Sequence, residues 1–147
     1  MKILIGSDHA GFKLKEELKR WLKEKGYEIK DYGTDSTNSV DYPKIGFKLA
    51  KDVAKQKTKG ILLCGSGLGM SMIANKVKGV RAALCHNSYT AKIAREHNDA
   101  NILCLGSRVL TEKEAKNITK IWLETKFSNE ERHKRRVNEI NDLECSS

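Results

Sequence analysis

Short apolar runs alternate with longer segments of helical periodicity along this chain, and no other sequence feature restricts the fold as much. Runs of about five apolar residues predict buried strands, whereas apolar residues at a spacing near 3.6 predict amphipathic helices. Strands and helices in regular alternation are typical of a parallel sheet built from βαβ units. The sequence therefore predicts an α/β fold with a central parallel sheet.

No linker, repeat or low-complexity segment interrupts this pattern, so the chain is expected to form one domain, residues 1–147. The strands are predicted at residues 2–6, 27–32, 60–64, 80–84 and 101–105. The helices are predicted at residues 11–25, 43–56, 68–77, 88–97 and 111–125, followed by an amphipathic tail over 128–147. We predict a Rossmann-like, doubly wound, five-stranded sheet with a C-terminal helical extension, in the order 2-1-3-4-5 rather than 3-2-1-4-5.

The net charge of +9 raises the question of nucleic-acid binding. Aromatic residues are 6% of the chain and are not interleaved with basic ones, so no surface for stacking bases is indicated. Much of the excess charge is lysine on two predicted helices, where a solvated face is the simpler explanation. These lysines are Lys13, Lys15, Lys19, Lys23 and Lys25, then Lys113, Lys116 and Lys120. We expect no nucleic-acid partner.

The amino-terminal segment and the cysteines both indicate a cytoplasmic protein. An apolar run of only three residues precedes Gly6, too short for a signal peptide or a membrane span. The cysteines at positions 64, 85, 104 and 145 are widely spaced and form no CxxC pair, so neither a zinc module nor a disulfide framework is indicated. Unpaired thiols suit a reducing compartment. We expect no membrane partner.

Two glycine-rich turns follow strands 1 and 3. The first is Ser7–Gly11 (SDHAG) and the second is Cys64–Gly69 (CGSGLG). In the favoured strand order these strands are neighbours that connect in opposite directions, and a ligand is expected in the crevice at their carboxyl ends. Glycines let the backbone approach a ligand, and the amides that open the next helix attract an anion. The sequence thus predicts an anion-binding crevice here.

Known glycine motifs do not account for the second turn. A dinucleotide fingerprint needs a glycine where Met70 stands, and residues 85–90 contain no acidic residue to bind a ribose. A Walker loop needs a Gly-Lys-Ser/Thr sequence that is absent, and a cysteine phosphatase loop needs an arginine, again at position 70. What remains is a thiol at the mouth of an amide-lined pocket.

Such a thiol is suited to act as a base. Amides at the start of the next helix would favour the thiolate of Cys64, which can take a proton from carbon. The amides of residues 65–69 and the Ser66 hydroxyl would stabilise the enediolate that results. The four histidines have no i,i+3 or i,i+4 pairing, so no metal site is indicated.

The tail carries Arg132 and Arg136, whose i,i+4 spacing suits a phosphate group. The alternative is a solvated basic face balanced by the tail glutamates. The apolar residues Val137, Ile140 and Leu143 recur at a spacing of three and need burial. Their partner is either the same domain or a second subunit, and the pattern leaves both open.

Together these motifs resemble ribose-5-phosphate isomerase type B, a family that includes the galactose-6-phosphate isomerase subunits. The resemblance covers nearly the whole chain. It rests on IGSDHAGF at the start, DYP (41–43), CGSGLGMSMIANK (64–76), GVRAALC (79–85), AREHNDANIL (94–103), LGSRV (105–109) and RHKRRV (132–137).

The resemblance implies an aldose–ketose isomerase without metal or cofactor, with a sugar phosphate as substrate. It also implies a homodimer with active sites at the subunit interface, and pairing into tetramers stays open. Cys64 matches the base that moves a proton between C1 and C2, and Ser66 matches a hydroxyl that helps move the proton between the oxygens. Asp8 and His97 match the pair that opens the furanose ring.

The remaining matched positions would bind substrate. The anion hole corresponds to Gly65, Gly67, Leu68 and Gly69, the substrate contacts to Tyr42 and Asn98, and the phosphate contacts to His9, Arg108, Arg132 and Arg136.

Met70 replaces a glutamate that some members use instead of the cysteine, which favours the thiol mechanism. Ser66 stands where threonine is common, so six-carbon substrates of the allose or galactose 6-phosphate type are the alternative to ribose 5-phosphate. A non-catalytic sugar-phosphate sensor, which would not need Cys64, is the other alternative.

Overall fold

Five parallel strands form the centre of the molecule in the computed structural model, which describes residues 1–144. The strands are β1 (Lys2–Ser7), β2 (Glu28–Asp31), β3 (Lys59–Cys64), β4 (Ala82–Leu84) and β5 (Ile102–Gly106). Their order across the sheet is β2-β1-β3-β5-β4. The predicted α/β, Rossmann-like fold is confirmed.

Helices cover both faces of the sheet. One face carries α1 (Phe12–Glu24), α4 (Ser88–Glu96) and α5 (Glu112–Glu124), and the other carries α2 (Tyr42–Gln56) and α3 (Leu68–Ala74). The last helix, α6 (Glu131–Leu143), forms the predicted extension. Among residues 1–144, no helix has the length and apolarity that a membrane crossing requires.

The central strands β1 and β3 are neighbours, as predicted, and they end at the same level of the sheet. Ser7 at the end of β1 pairs with Leu63, one residue before the end of β3. The chain then leaves β1 into α1 on one face and leaves β3 into α3 on the other. A crevice therefore opens between the two chain exits, where ligands bind in sheets of this type.

The order of the last two strands differs from the prediction, because β5 lies between β3 and β4. All five residues of β5 are buried, which suits a strand with a helix layer on each face and a partner on each side. The three residues of β4 are only partly buried, and a short strand of this kind is well tolerated at a sheet edge. As a result the carboxyl end of β5 lies beside that of β3.

One lysine of the predicted solvated face of α1 is buried. The side chain of Lys15 is 1% exposed, and its ammonium group donates to the carboxylate of Asp31 at the end of β2. Partial burial would raise the pKa of Asp31, but hydrogen bonds from Lys15 and Lys19 hold that pKa below its usual range. The lysine is paired with a charged carboxylate rather than solvated.

Helix α6 lies at the amino-terminal ends of the strands. The Asn141 side chain accepts from Arg81 at 3.0 Å, and Glu144 accepts from the Gly79 amide at 3.0 Å, just before β4. Of the predicted apolar stripe, only Val137 is buried within the chain. Ile140 is 42% exposed and Leu143 is 68% exposed, so this chain alone leaves both side chains uncovered.

Candidate active site

A cleft of about 470 Å³ lies at the carboxyl ends of the central strands. It adjoins a second cleft of about 510 Å³, and Asp8 and Tyr42 line both. The other residues lining the first cleft are Cys64, Gly65, Ser66, Gly69, Arg108 and Val109. The cleft thus collects side chains from the turns after β1, β3 and β5 and from the start of α2.

The thiol of Cys64 is the last side chain of β3 and is 5% exposed. The Gly67 amide donates to its Sγ atom at 3.1 Å. A backbone amide aimed at sulfur stabilises a thiolate, the form in which cysteine acts as a base. The sulfur therefore lies at the cleft with a donor suited to its charged form.

The turn after β3 is folded so tightly that glycine is required at its centre. Gly67 has a φ of +80°, and a Cβ atom there would lie 2.5 Å from the Leu84 side chain. This conformation is what directs the Gly67 amide back toward Cys64. The next amide, of Leu68, donates to the Ser66 hydroxyl at 3.2 Å, so that hydroxyl keeps its own proton to donate.

Tyr42 and Arg108 each form part of the cleft wall, and each is packed against a glycine of the same turn. A Cβ atom at Gly69 would lie 2.5 Å from the Tyr42 ring, and one at Gly65 would lie 3.0 Å from the Arg108 guanidinium. These glycines let the aromatic ring and the cation approach the backbone closely. The cleft consequently has one aromatic wall and one basic wall.

Asp8 and His9 follow β1 on the other side of the sulfur. Asp8 is 6% exposed, and its Oδ1 atom accepts from the Gly11 amide at 3.1 Å. The Nδ1 atom of His9 accepts from the Val40 amide at 3.1 Å. An accepting Nδ1 carries no proton, so the neutral ring keeps its proton on Nε2 and can donate it to an anion.

Ser107, in the turn after β5, forms hydrogen bonds to the turns after β1 and β3. The sequence did not indicate a role for this residue. Its amide donates to the Cys64 carbonyl at 2.9 Å, and its hydroxyl donates to the Ala10 carbonyl at 2.8 Å. The predicted strand order placed β5 at the far edge, which hid this position. The higher apolarity of the β5 run (NILCL) than of the β4 run (VRAAL) was the one signal that β5 is the more buried of the two strands.

Four of the predicted site residues lie at the other end of the strands from the cleft, where the strands begin. His97 and Asn98 lie between α4 and β5, and Arg132 and Arg136 lie on α6. The first residue of β5 pairs with Gly60, and Cys64 is four residues further along β3, which is about 13 Å at 3.3 Å per residue. A single chain therefore does not bring these four residues to the Cys64 cleft.

These four residues nevertheless belong to one cluster. The ring of His97 stacks on that of His133, with 4.1 Å between centroids, and His133 is in turn 2.6 Å from the Ser128 hydroxyl. Burial lowers the pKa of His133, and His97 lowers it further. Asn98, Arg132 and Arg136 are exposed beside this pair. The cluster is a rigid, basic surface on the same face as the uncovered Ile140 and Leu143.

The other cysteines and the acidic residues offer no competing site within residues 1–144. Burial raises the pKa of the Cys85 thiol to about 11 and also raises that of Cys104, so both resist ionisation. Cys145 lies outside the described residues. In the described part of the chain, no group of three or more His, Cys, Asp or Glu is arranged to hold a metal ion.

Comparison with proteins of known structure shows the same fold at full length. The chain is 50% identical to ribose-5-phosphate isomerase B of Clostridium thermocellum, with a TM-score of 0.97 over 99% of both chains. It is 41% identical to ribose-5-phosphate isomerase B of Mycoplasma genitalium, solved with bound ribulose 5-phosphate, with a TM-score of 0.95 over 99% of this chain and 97% of that one.

Comparison at the level of sequence gives the same relatives. The chain is 43% identical over 144 residues to ribose-5-phosphate isomerase B of Escherichia coli, covering 97% of this chain and 96% of the other. The family model for Ribose/Galactose Isomerase matches residues 3–140. The chain therefore belongs to the Ribose/Galactose Isomerase family, as its motifs indicated.

Proposed function

We propose that this chain interconverts ribose 5-phosphate and ribulose 5-phosphate, with Cys64 as the base. The observation that carries the proposal is the Cys64 sulfur at the cleft, with the Gly67 amide 3.1 Å away. Family membership and the ribulose 5-phosphate bound to the Mycoplasma genitalium relative support the choice of substrate. The chemistry is an internal transfer of protons, with no net oxidation or reduction.

Isomerisation starts from the open-chain aldose. The Cys64 thiolate takes the proton from C2, the C–H electron pair forms the C1–C2 double bond, and the carbonyl electrons move onto O1. A proton then moves from O2 to O1, with the Ser66 hydroxyl as the relay. Cys64 returns its proton to C1, which leaves a carbonyl at C2 and regenerates the thiolate. The amides of residues 65–69 stabilise the enediolate charge.

Ring opening precedes this step, because ribose 5-phosphate is mainly a furanose. Asp8 takes the proton of the anomeric hydroxyl, and His97 of the partner subunit donates a proton to the ring oxygen as the C1–O4 bond breaks. Asp8 is buried at the cleft, and within residues 1–144 its carboxylate accepts one hydrogen bond, from the Gly11 amide, so it retains acceptor capacity. The position of His97 at the other end of the strands from the cleft is why we assign this role to the partner subunit.

Charge at the cleft determines where the phosphate binds. His9 presents its Nε2–H, and Arg108 provides the cationic wall. Arg132 and Arg136 of the partner subunit complete the phosphate contacts, and its Asn98 contacts the sugar. A guanidinium group forms bidentate hydrogen bonds with phosphate, which orients the sugar relative to Cys64.

A homodimer follows from this division of the site. The basic cluster at the start of the strands, together with the exposed Ile140 and Leu143, would face the Cys64 cleft of the partner. Exposed Leu68 and Met72, on and beside the cleft turn, supply apolar surface for the same contact. We assign this dimer to the cytoplasm, where a reducing environment keeps the Cys64 thiol available.

Incubation with ribose 5-phosphate tests the activity directly. We expect ribulose 5-phosphate to form, followed by NMR or by a coupled assay, and we expect the rate to survive exhaustive EDTA treatment. The amides and the Ser66 hydroxyl, rather than a divalent ion, are assigned to the enediolate charge. Turnover of allose 6-phosphate or galactose 6-phosphate alone would contradict the pentose substrate. Binding without turnover of any of them would favour a sensor.

Alkylation tests the assignment of the base. Iodoacetamide should inactivate the enzyme in step with labelling of Cys64, because Cys85 and Cys104 are buried thiols with raised pKa values. Substrate at ten times its dissociation constant should slow inactivation by about tenfold. Mass spectrometry of the labelled peptides gives the site. Labelling confined to Cys145, or inactivation that substrate does not slow, would contradict the assignment.

A further inference from the structure

The buried ammonium group of Lys15 does not line the cleft. Its hydrogen-bond acceptors within residues 1–144 belong to the end of β2 and to the loop that runs from β2 to the cleft. The Nζ atom donates to Asp31 Oδ1 at 2.8 Å, to Asp31 Oδ2 at 2.7 Å and to the Thr34 carbonyl at 2.7 Å. An ammonium group has three protons, so these three contacts match its donors. A charge that is 1% exposed is tolerated only with such pairing, so its partners are held in defined positions.

The partners of Lys15 are the end of β2 and the first residues of the loop that follows, residues 33–41. The Asp31 carboxylate also accepts from the Gly33 amide at 2.8 Å. Thr34 donates its amide to the Ser7 carbonyl at 2.6 Å, and the Ser7 amide donates to the Gly33 carbonyl at 2.6 Å. The start of the loop is therefore fixed to the end of β1, one residue before Asp8.

The other end of the same loop reaches the cleft. The Val40 amide donates to His9 Nδ1 at 3.1 Å, and Tyr42, whose ring packs on Gly69, follows two residues later. Residues 35–39 between the two ends are mostly exposed. The Val40 amide is thus held between two fixed points, the clamp at Thr34 six residues earlier and the start of α2 two residues later.

We propose that Lys15 is a positioning residue of the active site, which acts through the loop 33–41 to hold His9 with its proton on Nε2. The inference rests on the proposed function only in assigning His9 to the substrate phosphate. Without the clamp the Val40 amide moves away from Nδ1, and the neutral ring is then free to carry its proton on either nitrogen. The phosphate loses a preorganised donor, so binding weakens while the chemistry at Cys64 continues.

The kinetic test replaces Lys15 with a side chain of similar length and no charge. Lys15→Met should raise KM for ribose 5-phosphate by about tenfold with kcat changed by less than about threefold, because uniform binding is lost. Lys19→Met is the matched control, since Lys19 also contacts Asp31, at 2.6 Å, and its side chain is 18% exposed. Its KM should stay within about twofold of the parent value.

A double-variant cycle separates positioning from a general loss of structure. If Lys15 acts through His9, Lys15→Met should change KM by less than about twofold in a His9→Ala background. An equal fold-change in both backgrounds would overturn the proposal, as would a loss confined to kcat. If Lys15→Met does not fold, Asp31→Asn takes its place, since it weakens the clamp from the more exposed partner. The same rise in KM, abolished in the His9→Ala background, is then expected, and its absence would overturn the proposal.

The state of His9 can be measured without substrate. In ¹⁵N NMR spectra of the parent protein the ring should show a protonated Nε2 and an unprotonated Nδ1, and in the Lys15→Met or Asp31→Asn variant both tautomers should appear. An unchanged tautomer in the folded variant would overturn the proposal. Because this measurement needs no turnover, it stays decisive even if ribose 5-phosphate is not the substrate.

Discussion

Replacing Cys64 with alanine should lower kcat for ribose 5-phosphate by about 10²–10⁴-fold, the range that general acid–base groups contribute. In the proposed mechanism the thiolate acts only on the reacting carbon, so KM should change by less than about threefold. Steady-state kinetics on the purified variant give both numbers. The sugar phosphate should still bind, because His9 and Arg108 are unchanged.

Cys85→Ala is the matched control for this variant. Cys85 is 1% exposed and packs on the other face of the sheet from Cys64, away from the cleft. Its replacement should lower stability without affecting kcat. Activity of Cys64→Ala within about tenfold of the parent enzyme would show that the thiolate is not the base, and another proton acceptor at the cleft would have to take its place.

Mixing two inactive variants should restore activity. One chain carries Cys64→Ala, and the other carries Arg132→Ala and Arg136→Ala. If the arginines act across a two-fold interface, each heterodimer has one site with both defects and one with none. Random pairing makes about half of the dimers mixed, so co-expression should recover about a quarter of the parental active sites.

The design depends on showing that the mixed dimers exist. Different affinity tags on the two chains allow heterodimers to be isolated and counted. A mixture of Lys113→Ala with Cys64→Ala provides a control for pairing, because Lys113 is exposed on α5 and is not among the residues that line the two clefts or form the basic cluster. If isolated heterodimers of the two inactive variants are no more active than either variant alone, the arginines act within their own chain.

The sequence predicted the central strands to within one residue at each end. The runs at 2–6, 60–64 and 101–105 correspond to β1, β3 and β5, because strands buried on both faces need an unbroken apolar run. The order of β4 and β5 was not predictable from their connections, since a helical crossover of the same length fits either arrangement. Burial decided it, and burial is a property of the assembled sheet.

The cleft was predicted at the turn where residue type is most informative, and the structure places that turn in its lining. Cys64 and the glycines around it stand out because a thiol before amide-rich glycines has few structural uses. Lys15 did not stand out as buried. Helical spacing shows which face of a helix a residue occupies, but it does not show which later segment of the chain packs on that face. Asp31, sixteen residues on, is what makes the position buried and charged at once. Such a pair becomes visible only when the fold is known.

Because Ser107 is bonded to the Cys64 and Ala10 backbone, the turn that carries Cys64 should resist local opening more than the loop 33–41 does. The turn that carries Cys64 follows β3, which is paired with β1 and β5, so its amides should exchange with solvent only as the whole sheet unfolds. The loop 33–41, of which Ser39, Val40 and Asp41 line the adjoining cleft, is fixed near its ends and should exchange through small fluctuations. In the proposed mechanism, proton transfer uses the turn that carries Cys64, whereas a sugar of different length would be accommodated by the loop. Substitutions that broaden the range of accepted sugars should therefore arise in the loop, at little cost to folding stability.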